Sequence, residues 1–263
     1  MVSFDARPFV PRPDDPPCGI AIGSHNLPSL IEMQIVLARR LCGDVPILIC
    51  DDCSDGFGPT PTGKFARLQE IAGRYPDVLL WPNPGRIGHA GGDISAFWKA
   101  IQWGKLRGLR VVAKLSQRFL PTKTRWLQDG AIELLATGLP LACNRCREAY
   151  RGVWHYFELR TEACLLDIEQ WHRPDVLSAF TPRPIATAAE MVIWDYVRDL
   201  LGGRWHVWSM MPSTSRHDVD PGYLWHGTHT EQQYRQFFGQ FGLAIDEDFS
   251  CKTWVDQPGY VLG

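Results

Sequence analysis

Between residues 18 and 114 the chain alternates short apolar runs with amphipathic stretches joined by short connections, and that alternation admits few folds. Cys18–Ser24 (CGIAIGS) reads as a buried strand. Pro28 suits the first turn of a helix, in which Leu30, Met33, Leu37 and Leu41 recur at helical spacing. Residues 45–50 (VPILIC) form a second predicted strand, Lys64–Arg74 a helix and 78–81 a third strand. Residues 82–92 read as a glycine-rich loop, 93–107 as a helix and 110–114 as a fourth strand. Strand and helix in turn predict a parallel sheet covered on both faces. Right-handed crossovers then fix most of the topology. Ligands of such sheets bind beyond the carboxyl ends of the strands, where the strand order switches direction. The polar segments fall at those ends: Ser24-His25-Asn26, Asp51-Asp52, Arg86 to Asp93, and Ser116-Gln117-Arg118.

The second half is less regular. Residues 124–136, 186–201 and 230–241 look helical, while 139–143 and 205–210 look like strands and 153–166 like a strand or hairpin. Residues 1–17 are an extended arm, because Pro8, Pro11, Pro13, Pro16 and Pro17 forbid a helix. With no repeat or low-complexity linker in the remainder, one domain over 18–263 is the simplest account.

Composition narrows the function. The 27 basic and 29 acidic residues leave a net charge of −2, which argues against a nucleic-acid partner, since coating phosphate needs a basic face. The longest weakly polar stretch, 131–143, holds Glu133 and Thr137 and is too short to span a bilayer. The start of the chain has neither a basic segment nor an apolar one, so no signal peptide is expected and the location expected is the cytoplasm. Cysteines pair as Cys50/Cys53 and Cys143/Cys146, but far apart, against the close pairing of zinc modules. Two coincidental pairs on strand ends are the favoured account.

Several motifs carry possible chemistry. Gly85 to Asp93 (GRIGHAGGD) opens a helix; glycines such as Gly88 and Gly92 let backbone approach a ligand, and a helix start favours phosphate. It fits neither the dinucleotide nor the P-loop fingerprint, and a plain tight turn is the competing reading. Asp51 or Asp52 can accept from a nucleobase imide or a ribose hydroxyl, or serve an Asx turn. Glu190 and Asp195, on a predicted helix, are candidate general bases, although Thr187-Ala188-Ala189-Glu190 also fits a capping box. His226, in the segment Trp225 to His229, is a candidate for phosphate or catalysis, while Thr230-x-x-Gln233 fits a capping box. Asp218-Val219-Asp220 precedes Pro221-Gly222 and is read as a turn. Most of the eleven tryptophans are expected in the core or at its rim.

Four segments in order, GIAIGSHN, ILICDDCSDG, NPGRIGHAGGD and VVAKLSQR, resemble the nucleotide half of GT-A glycosyltransferases over roughly residues 18–120. The resemblance implies a GT-A-like, Rossmann-related mixed α/β sheet flanked by helices, with residues 121–263 as the acceptor half. It implies a UDP or UDP-sugar site and an unidentified acceptor. Ser24, His25, Asn26 and Asp52 would lie near the base, and Arg86, Gly88, His89 and Asp93 near the ribose or the helix mouth. The family carries Asp-x-Asp after the fourth strand to hold a divalent cation. Here the segment is Lys114-Leu115-Ser116-Gln117-Arg118. Lysine and arginine cannot ligate Mg²⁺ or Mn²⁺, so no cofactor is required and no metal is expected at the usual position. Arg118, helped by Lys114, is expected to take the cation's place on the diphosphate. Two other functions remain open: a nucleotide-binding module without transfer, and a Rossmann-type oxidoreductase, disfavoured because the first strand lacks a glycine-rich turn.

Overall fold

A computed structural model describes residues 4, 7–55, 63–144, 146–150, 153–157, 159–179, 189–210, 222–225 and 229–246. The first half builds as its pattern predicts: β1 (Cys18–Ser24), α1 (Pro28–Cys42), β2 (Ile47–Asp51), α2 (Lys64–Arg74), β3 (Val78–Pro82), α3 (Gly88–Leu106) and β4 (Val111–Ser116). A short β5 (Phe119–Pro121), α4 (Trp126–Thr137) and β6 (Leu141–Cys143) follow. Next come β7 (Cys146–Tyr150), β8 (Val153–Phe157), β9 (Ala163–Asp167), α5 (Ile168–Trp171) and α6 (Pro174–Ala179). The last elements are α7 (Ala189–Leu200), β10 (His206–Val207), β11 (Tyr223–Trp225) and α8 (Glu231–Gly239).

Seven strands make one mixed sheet in the order β10-β6-β9-β4-β1-β2-β3. β1 pairs in parallel with β2 on one side and β4 on the other. β9 is the antiparallel member, inserted between β4 and β6. Side chains alternate across the sheet. Ile20, Ile22, Ile47, Ile49, Val111, Ala113 and Leu115 join one core with α1, α2, α4 and α8, while Ala21, Leu48, Cys50, Val112 and Leu166 join the other with α3, α5 and α7. α3 settles tightly on its face because Gly104 has no side chain. A Cβ there would lie 2.8 Å from Val112 and 3.0 Å from Ile168.

Three expectations change. The glycine segment is helical from Gly88 onward, not loop through 92. Of its glycines, Gly92 serves a close approach of the helix to Asp52 at the neighbouring strand end. The stretch 153–166 divides between two sheets: β8 pairs only with β7, and β9 enters the main sheet. Of the strand expected at 205–210, only His206–Val207 pairs, alongside β6. The capping box at Thr230 and Gln233 is present at the start of α8. Cys143 and Cys164 face each other across β6 and β9, and both are buried and free. Among the described residues no helix is long and apolar enough to cross a membrane.

The arm is strapped to the body by Arg125, which sits before α4 with a left-handed φ of 63° and is 7% exposed. Its guanidinium binds Asp15 and the Val10 carbonyl and lies over the Phe9 ring. Removing one partner of a mostly buried charged network leaves the other without its counter-charge. Arg125→Ala should therefore lower stability by about 1–3 kcal/mol and make residues 7–15 accessible to protease. Urea denaturation with limited proteolysis checks this, and an unchanged arm and midpoint would refute the strap.

Candidate functional site

The order of the sheet dictates where a cleft can form. After β3 the chain crosses back to place β4 on the other side of β1, so the loops leaving β1 and β4 diverge and leave space between them. Gly23, Ser24 and His25 from β1, Asp52 beyond β2, Arg86, Gly88, His89, Gly92 and Asp93 from the start of α3, and Ser116 and Gln117 from β4 line a cavity of about 200 Å³ there.

At the β2 end, the two neighbouring aspartates have separate fates. Asp51 is fully buried and does not line the cleft; it accepts from the Ser54 amide and hydroxyl at 2.8 and 2.6 Å. Burial raises its pKa. Asp52 faces the cleft. Its Oδ1 accepts from Asn83 Nδ2 at 2.9 Å and from the Ile87 amide at 3.0 Å, which ties the loop before α3 to the strand end. Gly92 makes room for it, since a Cβ there would lie 3.0 Å from the carboxylate. Asn26 lies behind the wall, in left-handed backbone with φ 58°, and accepts from the Asp55 amide at 2.9 Å. His25 Nδ1 lies 3.0 Å from the Asp52 carbonyl. A carbonyl only accepts, so Nδ1 carries the proton and Nε2 accepts from Asn26 Nδ2, 3.2 Å away. The His25 amide donates to Gln117 Oε1 at 2.8 Å, joining the β1 and β4 loops.

The β4 end is organised around a buried ammonium. Lys114 lies on the α3 face of β4, where its neighbour Val112 is core. It is fully buried and has no surface on the cleft. Its Nζ donates to Asp93 Oδ1 and, at 2.8 Å, to the Thr161 carbonyl, with the Phe97 ring 5.1 Å away. Desolvation lowers its pKa to about 8, against nearby negative groups that oppose the drop. Lys114 is thus committed to Asp93. His89 is exposed into the cleft, and loss of water, then the charges of Lys114 and Arg118, lower its pKa. Arg118 does not line the cleft; its carbonyl accepts from the Tyr234 hydroxyl. The Ser116 hydroxyl is buried on the cleft wall without a hydrogen-bond partner.

Because β9 is antiparallel, the residues before it arrive at this same edge. The Ser116 amide donates to the Glu162 carbonyl at 2.7 Å, and Arg160 binds the Glu162 carboxylate at 2.7 Å while lying 4.9 Å from the centre of the Trp225 ring. Thr161 donates its hydroxyl to Glu190 Oε1 at 3.2 Å. Burial, then the charge of Glu162, raises the Glu190 pKa. Glu190 does not itself line the cleft. Asp195 is brought nowhere near: α7 buries Ala189, Ile193 and Val197, and Asp195 lies exposed on the opposite face, 2.9 Å from Arg198. His226, His217, Asp218, Asp220 and Thr187 lie outside the described residues. Sequence reasoning did not place Arg160, Thr161 and Glu162 beside the cleft. Only the strand insertion brings them here, and no local pattern signals that.

The donor set that the described residues bring to the cleft does not suit a divalent cation. The cleft's two carboxylates, Asp52 and Asp93, are held by a loop amide pair and by an ammonium. No group of three or more potential ligands gathers among the described residues.

No protein-family model matches this chain, nor does any curated protein. Solved structures do. A mannosyltransferase, PcManGT from Pyrobaculum calidifontis, in complex with GDP-Man and Mn²⁺, aligns with a TM-score of 0.52 at 14% identity, over 94% of this chain and 69% of that one. A cytidylyltransferase from Leptospira borgpetersenii aligns with a TM-score of 0.51 at 11% identity, over 89% and 90% of the two chains. The fold is that of GT-A-like nucleotide-sugar transferases. At these identities the likeness concerns architecture alone, so the chemistry rests on the cleft.

The lysine has a consequence for stability. Between pH of about 8 and its ordinary value of 10.5, the unfolded chain keeps a proton that the folded chain has released, so this group makes stability rise with pH across that window. Denaturation on either side of the window should show that rise in the wild type relative to Lys114→Met, where the contribution is absent. Parallel pH profiles would mean the ammonium is not desolvated as described.

Proposed function

We propose that this chain binds a nucleotide diphospho-sugar, a UDP-sugar, and transfers its sugar to an acceptor hydroxyl without a divalent cation. The observation that carries the reading is one cleft at the switch point, lined by a strand-end carboxylate, by a glycine-bearing helix start with Arg86 and His89, and by Ser116 and Gln117 at the end of β4. Asp52 and His25 suit the nucleoside. The Asp52 carboxylate can accept the N–H of an imide, which uracil has and cytosine lacks. The amides at the start of α3, with Arg86, His89 and the Ser116 hydroxyl, suit the diphosphate. Arg118, just beyond, adds a charge that arginine can apply to two phosphate oxygens at once. Lys114 takes no part in phosphate contact, because it is enclosed and paired.

In the transfer, the acceptor oxygen bonds to the anomeric carbon while the bond from that carbon to the diphosphate breaks. The electron pair leaves on the diphosphate, where fixed positive charge and amide dipoles stabilise it. The acceptor proton goes to a base, and Glu190, with its raised pKa, is the better placed of the two acidic candidates. A second reading, nucleotide binding without transfer, is favoured by one fact: Glu190 is set back behind Thr161 and not in the cleft wall.

Calorimetric titration of UDP into the full chain, with EDTA and then with Mn²⁺, tests the reading. Binding in both conditions is expected, weakened roughly tenfold or more in Arg118→Ala, the scale of a charge-assisted hydrogen bond. Binding only with Mn²⁺ would overturn the cation-free site. Consumption of UDP-sugar, even as slow hydrolysis, separates transfer from binding alone.

A further inference from the structure

The cleft has two ends of different chemistry. The β2 end presents Asp52, tied to Asn83 and Ile87. The opposite end presents Asp93, whose side chain is 15% exposed and paired with Lys114. The Lys114 ammonium that holds Asp93 also meets the Thr161 carbonyl just before β9, whereas Asp52 is held by Asn83 and Ile87 beyond β3, so the two carboxylates are anchored on opposite sides of β1. We infer that Asp93 takes a hydroxyl of the transferred sugar, and that Lys114 is the positioning residue that holds it ready to do so. This deepens the nucleotide-sugar reading and rests on it.

Charge decides what Asp93 can meet. An ionised carboxylate repels a diphosphate and accepts from hydroxyl groups, so its ligand is a neutral, hydroxyl-rich group. Lys114 keeps that carboxylate ionised. It has no route to the ligand itself, since its donors go to Asp93 and Thr161 and it is enclosed. Its influence on binding therefore passes through Asp93. An apolar side chain at 114 would continue the core face set by Val112 and would often serve stability as well or better. A buried ammonium there is accounted for by the carboxylate it fixes. With a nucleoside at Asp52 and His25 and a diphosphate at the start of α3, the transferable group falls toward β4 and β9, beside Asp93.

The test compares affinities of the full chain for UDP, UDP-glucose, UDP-galactose and UDP-N-acetylglucosamine by calorimetry. Wild type should bind at least one UDP-sugar more tightly than UDP. Asp93→Asn should abolish that margin, about tenfold for a hydrogen bond to a charged group, by weakening UDP-sugar far more than UDP. Lys114→Met should act in the same direction, and the double variant should be no worse than Asp93→Asn alone, because the two act as one unit. Equal weakening of UDP and UDP-sugar in Asp93→Asn would overturn the inference. So would a wild type that binds UDP with no margin for any sugar, a result that needs no variant to fold. A wild type that fails to bind UDP would instead overturn the nucleotide reading, and this inference with it.

Discussion

β1 carries parallel partners along both edges, and that double pairing decides where everything else can go. Seven consecutive residues are enclosed by β2, β4 and helices on each face, so their backbone groups find partners only in the ladder. The chain builds outward through β2 and β3, then must return across β1 to reach β4. The loops at the carboxyl ends of β1 and β4 consequently leave in different directions. The cleft is a result of connectivity before it is a result of any side chain.

Side chains then make the cleft polar, at a cost visible in the backbone. Asn26, Cys53 and Asp55 all adopt positive φ within the loops that end β1 and β2. Such conformations are unfavourable for residues other than glycine and persist where surrounding contacts over-determine them. Here those contacts are explicit: Asn26 and Asp55 bond each other's loops, Ser54 binds both Asp51 and the Asn26 amide, and Asp55 accepts from the Phe65 amide at the start of α2. This knot fixes Asp52 and His25 from behind. At the other end the Lys114–Asp93 pair does the same work with charge, on the α3 face of the sheet.

Those two ends differ in how far they could be read from the amino-acid order. The strands and helices of residues 18–116 were legible because each buries a full face, and a buried face imposes a period on the sequence. The cleft's position followed from the same alternation. What local pattern could not show was orientation. Asp51 and Asp52 are adjacent and look equivalent, yet one turns into its own loop and the other into the cleft. Lys114 looks like a free basic residue at a strand end, but the pleat directs it to α3, where Asp93 near the start of that helix receives it. Gly88 to Gly92 suggest a loop by composition but are helical, and Gly92 leaves room for the Asp52 carboxylate. Past residue 121 the strands are short, and β9 enters the main sheet antiparallel beside β4, a partner far off in sequence. Glu162 and Thr161 reach the site only through that insertion.

The departure at the end of β4 has a physical logic of its own. A cation between carboxylates and a diphosphate brings mobile charge, which must be recruited with the ligand. Under the proposed reading, Ser116 and Gln117 on the cleft wall, with Arg118 just beyond, make the polar contacts and the charge part of the protein. A site of that kind cannot also tolerate unpaired carboxylates, because they would repel the diphosphate that the basic groups attract. Both cleft carboxylates are accordingly committed, Asp52 to a side-chain amide and a backbone amide and Asp93 to an enclosed ammonium. The lysine that looks as if it should meet the phosphate instead balances the aspartate beside it. Under the proposed reading, the positive side of the cleft is made by Arg86 and the start of α3. The carboxylates are left to recognise neutral hydrogen-bond donors.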